Sequence, residues 1–195
     1  DLILENTITN NLVWTIEEFK NNPKGLLTFP TKFDMVDPLI NLNHKGKTII
    51  RMSLNPEEII KKVELGTSSL YKRIEAINKL SDADYPIGIL LAPIILVDNF
   101  ESIYSEFITK LKNSLSKKVI DTMSIEIIFM TYSYIHRKIN EEAFKNVPDL
   151  YNKNIMTSRG LGKYRYKSDI RNYATKFIKE EILKNFKNAN IIYIS

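Results

Sequence analysis

Four apolar runs of strand length, each followed by a stretch of different periodicity, constrain this chain more than any other feature. They are Gly25–Phe33, Lys47–Leu54, Ile87–Leu96 and Ser124–Met130. Rich in Ile and Leu, with little polar alternation, they read as strands covered on both faces. Helical spacing sets the segments around them apart. Phe100, Ile103, Tyr104, Phe107, Ile108, Leu111 and Leu115 share one face of a helix predicted over Asn99–Leu115. Leu70, Arg73, Ile74 and Ile77 do the same over Ser69–Leu80, and Leu12, Ile16 and Phe19 over Asn10–Phe19. Alternating helices and strands imply an α/β fold with right-handed crossovers and a parallel sheet. Four strands are too few for an eight-stranded barrel, and the first element is a helix. The chain therefore reads as beginning in mid-fold.

After Tyr151 the pattern changes. Met156–Tyr166 carries Gly160 and Gly162 between β-friendly residues and predicts a β-hairpin with a glycine turn. An amphipathic helix follows over Asp169–Asn185, and the tail NIIYIS is a short strand candidate. The expected organisation is residues 1–150 as the α/β part, with residues 151–195 as a basic hairpin and terminal helix packed on the same domain.

Charge follows that division. Residues 150–187 hold ten Lys and Arg against three Asp and Glu, a net of +7, while the whole chain carries +5. A basic tail on a near-neutral body predicts a polyanionic partner, nucleic acid before membrane. Arg159 and Lys163 are the leading candidate contacts, with Tyr164 and Tyr166 as aromatic surfaces for a displaced base. On an extended second arm Lys163, Arg165 and Lys167 share one face and the tyrosines the other.

Cysteine is absent. That excludes disulfides, thiolate zinc sites, a cysteine nucleophile and a cysteine-held cluster within these residues. His44 and His136 lie far apart, without metal-ligand spacing, and read as a packed or surface residue each. No apolar run reaches the ~18 residues of a membrane span, and the start DLILENTITNN lacks a signal-peptide pattern. A cytoplasmic protein is expected.

Ligands of parallel α/β sheets bind beyond the carboxyl ends of the strands. That rule selects Lys32, Ser53 and Ala92–Pro93. A lysine there pairs with a carboxylate, a serine bonds an amine or hydroxyl, and a strand-end carbonyl orients a flat ring. The competing reading leaves Lys32 in solvent and makes Ser53 a cap for a helix from Glu57. No nucleotide fingerprint or phosphate loop is present, and Gly66 of GTSSL reads as a turn residue.

The strings TKFDMVD, HKGKTIIRMSLNPEEIIKKVELGTSSLYKRIEAI, YPIGILLAPI and GLGKYRY resemble the carboxy-terminal half of the spore photoproduct lyase family. The similarity runs in order along nearly the whole chain, apart from residues 135–158. The resemblance implies a partial (β/α)6 barrel of the radical S-adenosylmethionine type. It implies a [4Fe-4S] cluster held by a CxxxCxxC loop, and reductive cleavage of S-adenosylmethionine to a hydrogen-abstracting radical. It further implies C–C bond cleavage in the thymine-dimer lesion of ultraviolet-damaged double-stranded DNA, with a cysteine returning the hydrogen.

Both cysteine segments are expected upstream of Asp1, in an amino-terminal half that acts as partner, so the chain alone is expected to be inactive. Carried over by motif, Lys32, Ser53 and Ala92 match positions lining the S-adenosylmethionine site, while Arg51 of the same string receives no role. Two stretches depart from the family. Phe129–Tyr132 replaces a polar run, and Met156, Ser158 and Arg159 replace a tryptophan and an Arg-Tyr pair; Lys163 and Tyr164 are retained. The alternatives are a radical S-adenosylmethionine paralogue with another substrate and a non-catalytic nucleic-acid-binding module.

Overall fold

The computed structural model describes residues 1–195. In chain order it holds α1 (Leu2–Thr9), α2 (Asn11–Phe19), β1 (Leu27–Thr31), a 3-10 turn (Asp37–Leu39), β2 (Thr48–Leu54), α3 (Glu57–Val63) and α4 (Leu70–Asp82). Then come β3 (Ile87–Ile94), α5 (Phe100–Ser114), α6 (Lys117–Thr122), β4 (Ser124–Phe129), β5 (Thr131–Ser133) and α7 (Tyr134–Ala143). The chain ends with β6 (Met156–Gly160), β7 (Lys163–Tyr166), α8 (Ser168–Asn185) and β8 (Asn190–Ile194).

Five strands form one parallel sheet in the order β1-β2-β3-β4-β8. The α/β class read from the sequence is the observed one. The period-two geometry of β2 sends Ile50, Met52 and Leu54 to a fully buried face and Ile49, Arg51 and Ser53 to the other. The buried face meets helices; α4 packs on β2 and β3 through an apolar stripe that includes Leu70, Ile74 and Ile77. Ser69 starts α4 as its N-cap, accepting from the Lys72 amide, and Ser116 caps α6 in the same way.

Three details differ from the sequence expectation. The helix expected over Asn10–Phe19 is α2, but a further helix, α1, precedes it, and Asn10 in the left-handed region at φ 57° separates the two. The Asn6 side chain then accepts from the amides of Leu12 and Val13 and satisfies the start of α2. Between β1 and β2 the crossover holds only the 3-10 turn, where Pro38 and the Asn–Gly-rich residues after it oppose an α-helix. The tail candidate becomes β8, a fifth parallel strand beside β4 with Ser124 opposite Asn190 and Ile127 opposite Ile194.

A second, antiparallel sheet runs β5-β7-β6. The anticipated hairpin therefore has a third strand, supplied by Thr131–Ser133 directly after β4. Gly160, Leu161 and Gly162 all have positive φ, at 85°, 51° and 69°. Such a tight turn is open to glycine at little cost and to leucine only with strain. No helix is long and apolar enough to cross a membrane.

Candidate functional site

The parallel register brings three neighbouring strand ends to one level, with Thr31 opposite Met52 and Ser53 opposite Leu90. Lys32, Ser53 and Ala92 consequently meet. Lys32 Nζ donates to Ser53 Oγ at 2.9 Å and to the Ala92 carbonyl at 3.0 Å. The Ser53 hydroxyl donates to the same carbonyl at 2.7 Å. Ser53 caps no helix; α3 starts at Pro56 without a side-chain cap. The Ala92 carbonyl, expected to orient a ligand ring, is instead taken by these two neighbours.

The third donor of Lys32 goes to a residue that sequence reasoning left without a role. Glu64 Oε1 accepts from Lys32 Nζ at 2.6 Å and from Asn55 Nδ2 at 2.8 Å. Its second oxygen lies 2.7 Å from Arg73 Nη1. That guanidinium directs its hydrogens to the carbonyls of Ser53 and Ser68 and to Thr67 Oγ1, so its contact with Glu64 is electrostatic rather than an aligned hydrogen bond. The Arg73 side chain is 0% exposed and that of Glu64 4%, whereas that of Lys32 is 30% exposed. Burial lowers the Lys32 pKa, opposed by Glu64. Burial raises the Glu64 carboxyl, but Lys32 and Arg73 outweigh it and hold its pKa below the ordinary value.

One signal for this network was visible in the sequence. An arginine inside the apolar stripe Leu70, Arg73, Ile74, Ile77 needs a buried anionic partner. The partner, Glu64, sits one turn of loop upstream, and Gly66 at φ 76° lets that loop fold back.

The network opens onto a cleft of about 400 Å³. Lys32, Glu64 and Pro93 line it together with Met130, Tyr132 and residues of α7, including His136 and Arg137. His44 lies elsewhere, buried and stacked on Tyr85 at 3.7 Å. Arg51, on the uncovered sheet face, pairs with Glu126 at 3.1 Å. It crosses β3 at Gly88, where a Cβ would lie 2.8 Å from Arg51 Cγ.

The hairpin places Arg159 and Lys163 on its exposed surface. Neither forms an ion pair, in contrast to Arg137, which binds both Glu141 and Asp149. Leu161 at the turn is 93% exposed. Tyr164 turns inward and packs with Tyr132, Tyr134 and Tyr151, its ring 4.8 Å from that of Tyr151. Tyr166 is a correction: it is buried in the core, its hydroxyl accepts the Leu96 amide at 2.9 Å, and it presents no surface to a base. The departures Phe129, Met130 and Met156 are likewise buried core residues.

The residues fit the carboxylate of a ligand such as S-adenosylmethionine. Two cations face one carboxylate at the strand ends, leaving one positive charge for a ligand carboxylate, and the less buried cation lines the cleft. They do not fit an iron–sulfur cluster. The chain has no cysteine, and no group of three or more His, Asp or Glu is arranged to hold a metal ion.

Comparison with known proteins agrees over the full length. A family model described as Spore photoproduct lyase matches residues 1–195. The spore photoproduct lyase of Bacillus subtilis is 33% identical over 199 residues, covering 100% of this chain and 58% of the relative. That of Clostridium acetobutylicum is 30% identical over 183 residues, covering 92% and 54%. A solved spore photoproduct lyase complexed with dinucleoside spore photoproduct superposes with a TM-score of 0.92 at 26% identity, covering 100% of this chain and 58% of that one. A mutant solved with bound AdoMet and dinucleoside spore photoproduct gives 0.89 at 26% identity, covering 100% and 57%. The chain thus spans a little over half the length of the relatives it matches.

Proposed function

The chain belongs to the spore photoproduct lyase family, and from that premise we propose that it contributes the S-adenosylmethionine-facing strand ends and the DNA-facing hairpin of an enzyme repairing the spore photoproduct in ultraviolet-damaged DNA. The observation that carries this reading is the meeting of Lys32, Ser53 and Ala92 at adjacent strand ends, all within 3.0 Å of the Lys32 ammonium or of one another. S-adenosylmethionine, when bound and reductively cleaved in such enzymes, supplies the hydrogen-abstracting radical. The lyase would thereby break a carbon–carbon bond, and a [4Fe-4S] cluster for that chemistry would need cysteine ligands, which these 195 residues do not supply.

Within the chain, Lys32 binds the ligand carboxylate from the cleft side, and Ser53 and the Ala92 carbonyl hold its ammonium in place for that contact. Burial lowers the Lys32 pKa, and Glu64 opposes that shift. The cleft wall of Met130 and Tyr132 sheds water from the reacting centre. At the other end of that wall, Arg159 and Lys163 meet phosphates of the duplex. Tyr164, half-buried among three other tyrosines, offers a rigid edge to an extruded pyrimidine.

The reading is tested with protein expressed from the complete reading frame around Asp1. Irradiated DNA is incubated with S-adenosylmethionine and reductant, and loss of the lesion is followed by mass spectrometry of the digested nucleosides. Repair by the parent and its loss in Lys32→Ala support the assignment. Repair undiminished in Lys32→Ala removes the strand-end site from it.

A further inference from the structure

The string from Glu64 to Arg73 is among the most distinctive in the sequence, yet the ligand reading uses it only for the charge of Lys32. Its geometry defines one. Glu64 is held on three sides: by Arg73, which is fully buried; by Asn55 Nδ2 at 2.8 Å; and by Lys32 Nζ at 2.6 Å. Asn55 is itself fixed, because the Tyr104 hydroxyl accepts the Ile95 amide and donates to Asn55 Oδ1. Asn55 also donates to the Pro93 carbonyl. Two of Glu64's partners thus belong to the interior. Lys32 alone lines the cleft.

We propose that Glu64 is a positioning residue acting as an internal stand-in for the ligand carboxylate. In the ligand-free protein it occupies Lys32 and aims the ammonium at Ser53 and Ala92. When a carboxylate-bearing nucleoside enters, its carboxylate takes over Lys32, and Glu64 stays on Arg73 and Asn55.

The charge balance favours this exchange. The free site holds two cations and one carboxylate, and the liganded site holds two ion pairs. Each cation has a carboxylate beside it at both stages, and the ligand carboxylate removes the one positive charge in excess in the free site, the balance under which buried ion pairs are tolerated. Burial draws the Lys32 pKa down, so an ammonium without any carboxylate beside it is the state the site disfavours. Glu64 fills that role until the ligand does. The cost is competition: only the fraction of molecules in which Lys32 is released binds the ligand, and the apparent affinity falls by that fraction.

The inference rests on the proposed strand-end ligand site, and its test separates the two. S-adenosylhomocysteine, which carries the amino-acid carboxylate, and 5′-methylthioadenosine, which lacks it, are titrated calorimetrically into the parent chain, Glu64→Gln and Glu64→Asp. Glutamine keeps an acceptor for Asn55 and removes the competing charge. Aspartate keeps the charge and withdraws it from Lys32, so it serves if the glutamine variant does not fold. S-adenosylhomocysteine is expected to bind Glu64→Gln about tenfold more tightly than the parent, as when a competent state of roughly one part in ten becomes dominant. Glu64→Asp is expected to show a smaller gain. Methylthioadenosine affinity stays unchanged in both.

Equal or weaker S-adenosylhomocysteine binding in the folded variants overturns the proposal. So does a parallel change for both nucleosides, which marks a merely structural residue. A parent chain that binds neither nucleoside overturns the ligand site itself, and this inference with it.

Discussion

The ends of β1 to β3 and the β6–β7 hairpin belong to one chain but handle charge in opposite ways. At the strand ends, Lys32, Arg73 and Glu64 are drawn into the protein, and the three donors of Lys32 are all spent on neighbours. At the hairpin, Arg159 and Lys163 project without ion pairs beside an almost fully exposed Leu161. In the proposed reading the first arrangement takes a partner small enough to enter a cleft and exchange bond for bond. The second leaves its cations exposed and, in the same reading, serves a large, flexible polyanion. Buried charges must be matched one by one, whereas exposed charges act additively and through salt. The two regions should therefore fail differently when perturbed.

The largest expected effect is on stability. Arg73→Ala leaves Glu64 with Lys32 as its only cation and opens the fully buried side of the network. It should cost about 3–5 kcal/mol, read as a shift in the urea midpoint. Adding Glu64→Ala to it should cost less than the sum of the single changes, because the partners share one network. A strictly additive double variant would show the pair to be uncoupled.

A pH titration sharpens the same point. Glu64's folded pKa lies below its ordinary 4.5, so its stabilisation is present above pH 4.5 and is lost as pH falls through the folded value. The acid limb of the parent's urea-midpoint profile should flatten in Glu64→Gln. Superimposable limbs would deny the carboxylate its depressed pKa.

At the hairpin the expected effect on folding is the smallest. Lys163→Ala should change stability by no more than about 0.5 kcal/mol. It should nevertheless weaken duplex binding and lower the slope of log affinity against log salt by roughly one. Affinity and slope equal to the parent's would detach the hairpin from DNA.

How far the sequence disclosed these regions depended on whether the determinants were local. The parallel strands were legible because each is a continuous apolar run, and Lys32, Ser53 and Ala92 because they end such runs. The Glu64–Arg73 pair was half legible: Arg73 in an apolar stripe announced a buried charge, but its partner depends on the fold of the Gly66 loop. β8 was legible as a short strand candidate, but not its pairing with a distant β4. Tyr164 and Tyr166 illustrate the same limit. Alternation placed both on the face of β7 opposite Lys163, Arg165 and Lys167, but only the tertiary packing separates the half-buried Tyr164 from Tyr166, which is buried with its hydroxyl on the Leu96 amide.

The central claim is that the strand ends form a ligand site organised around Lys32. Its most direct test is calorimetric titration of S-adenosylmethionine into the parent chain and into Lys32→Ala. Weak, saturable binding by the parent and its loss in the variant is the predicted result. The same isotherm for both proteins, or tight binding by this cluster-free chain, would contradict it.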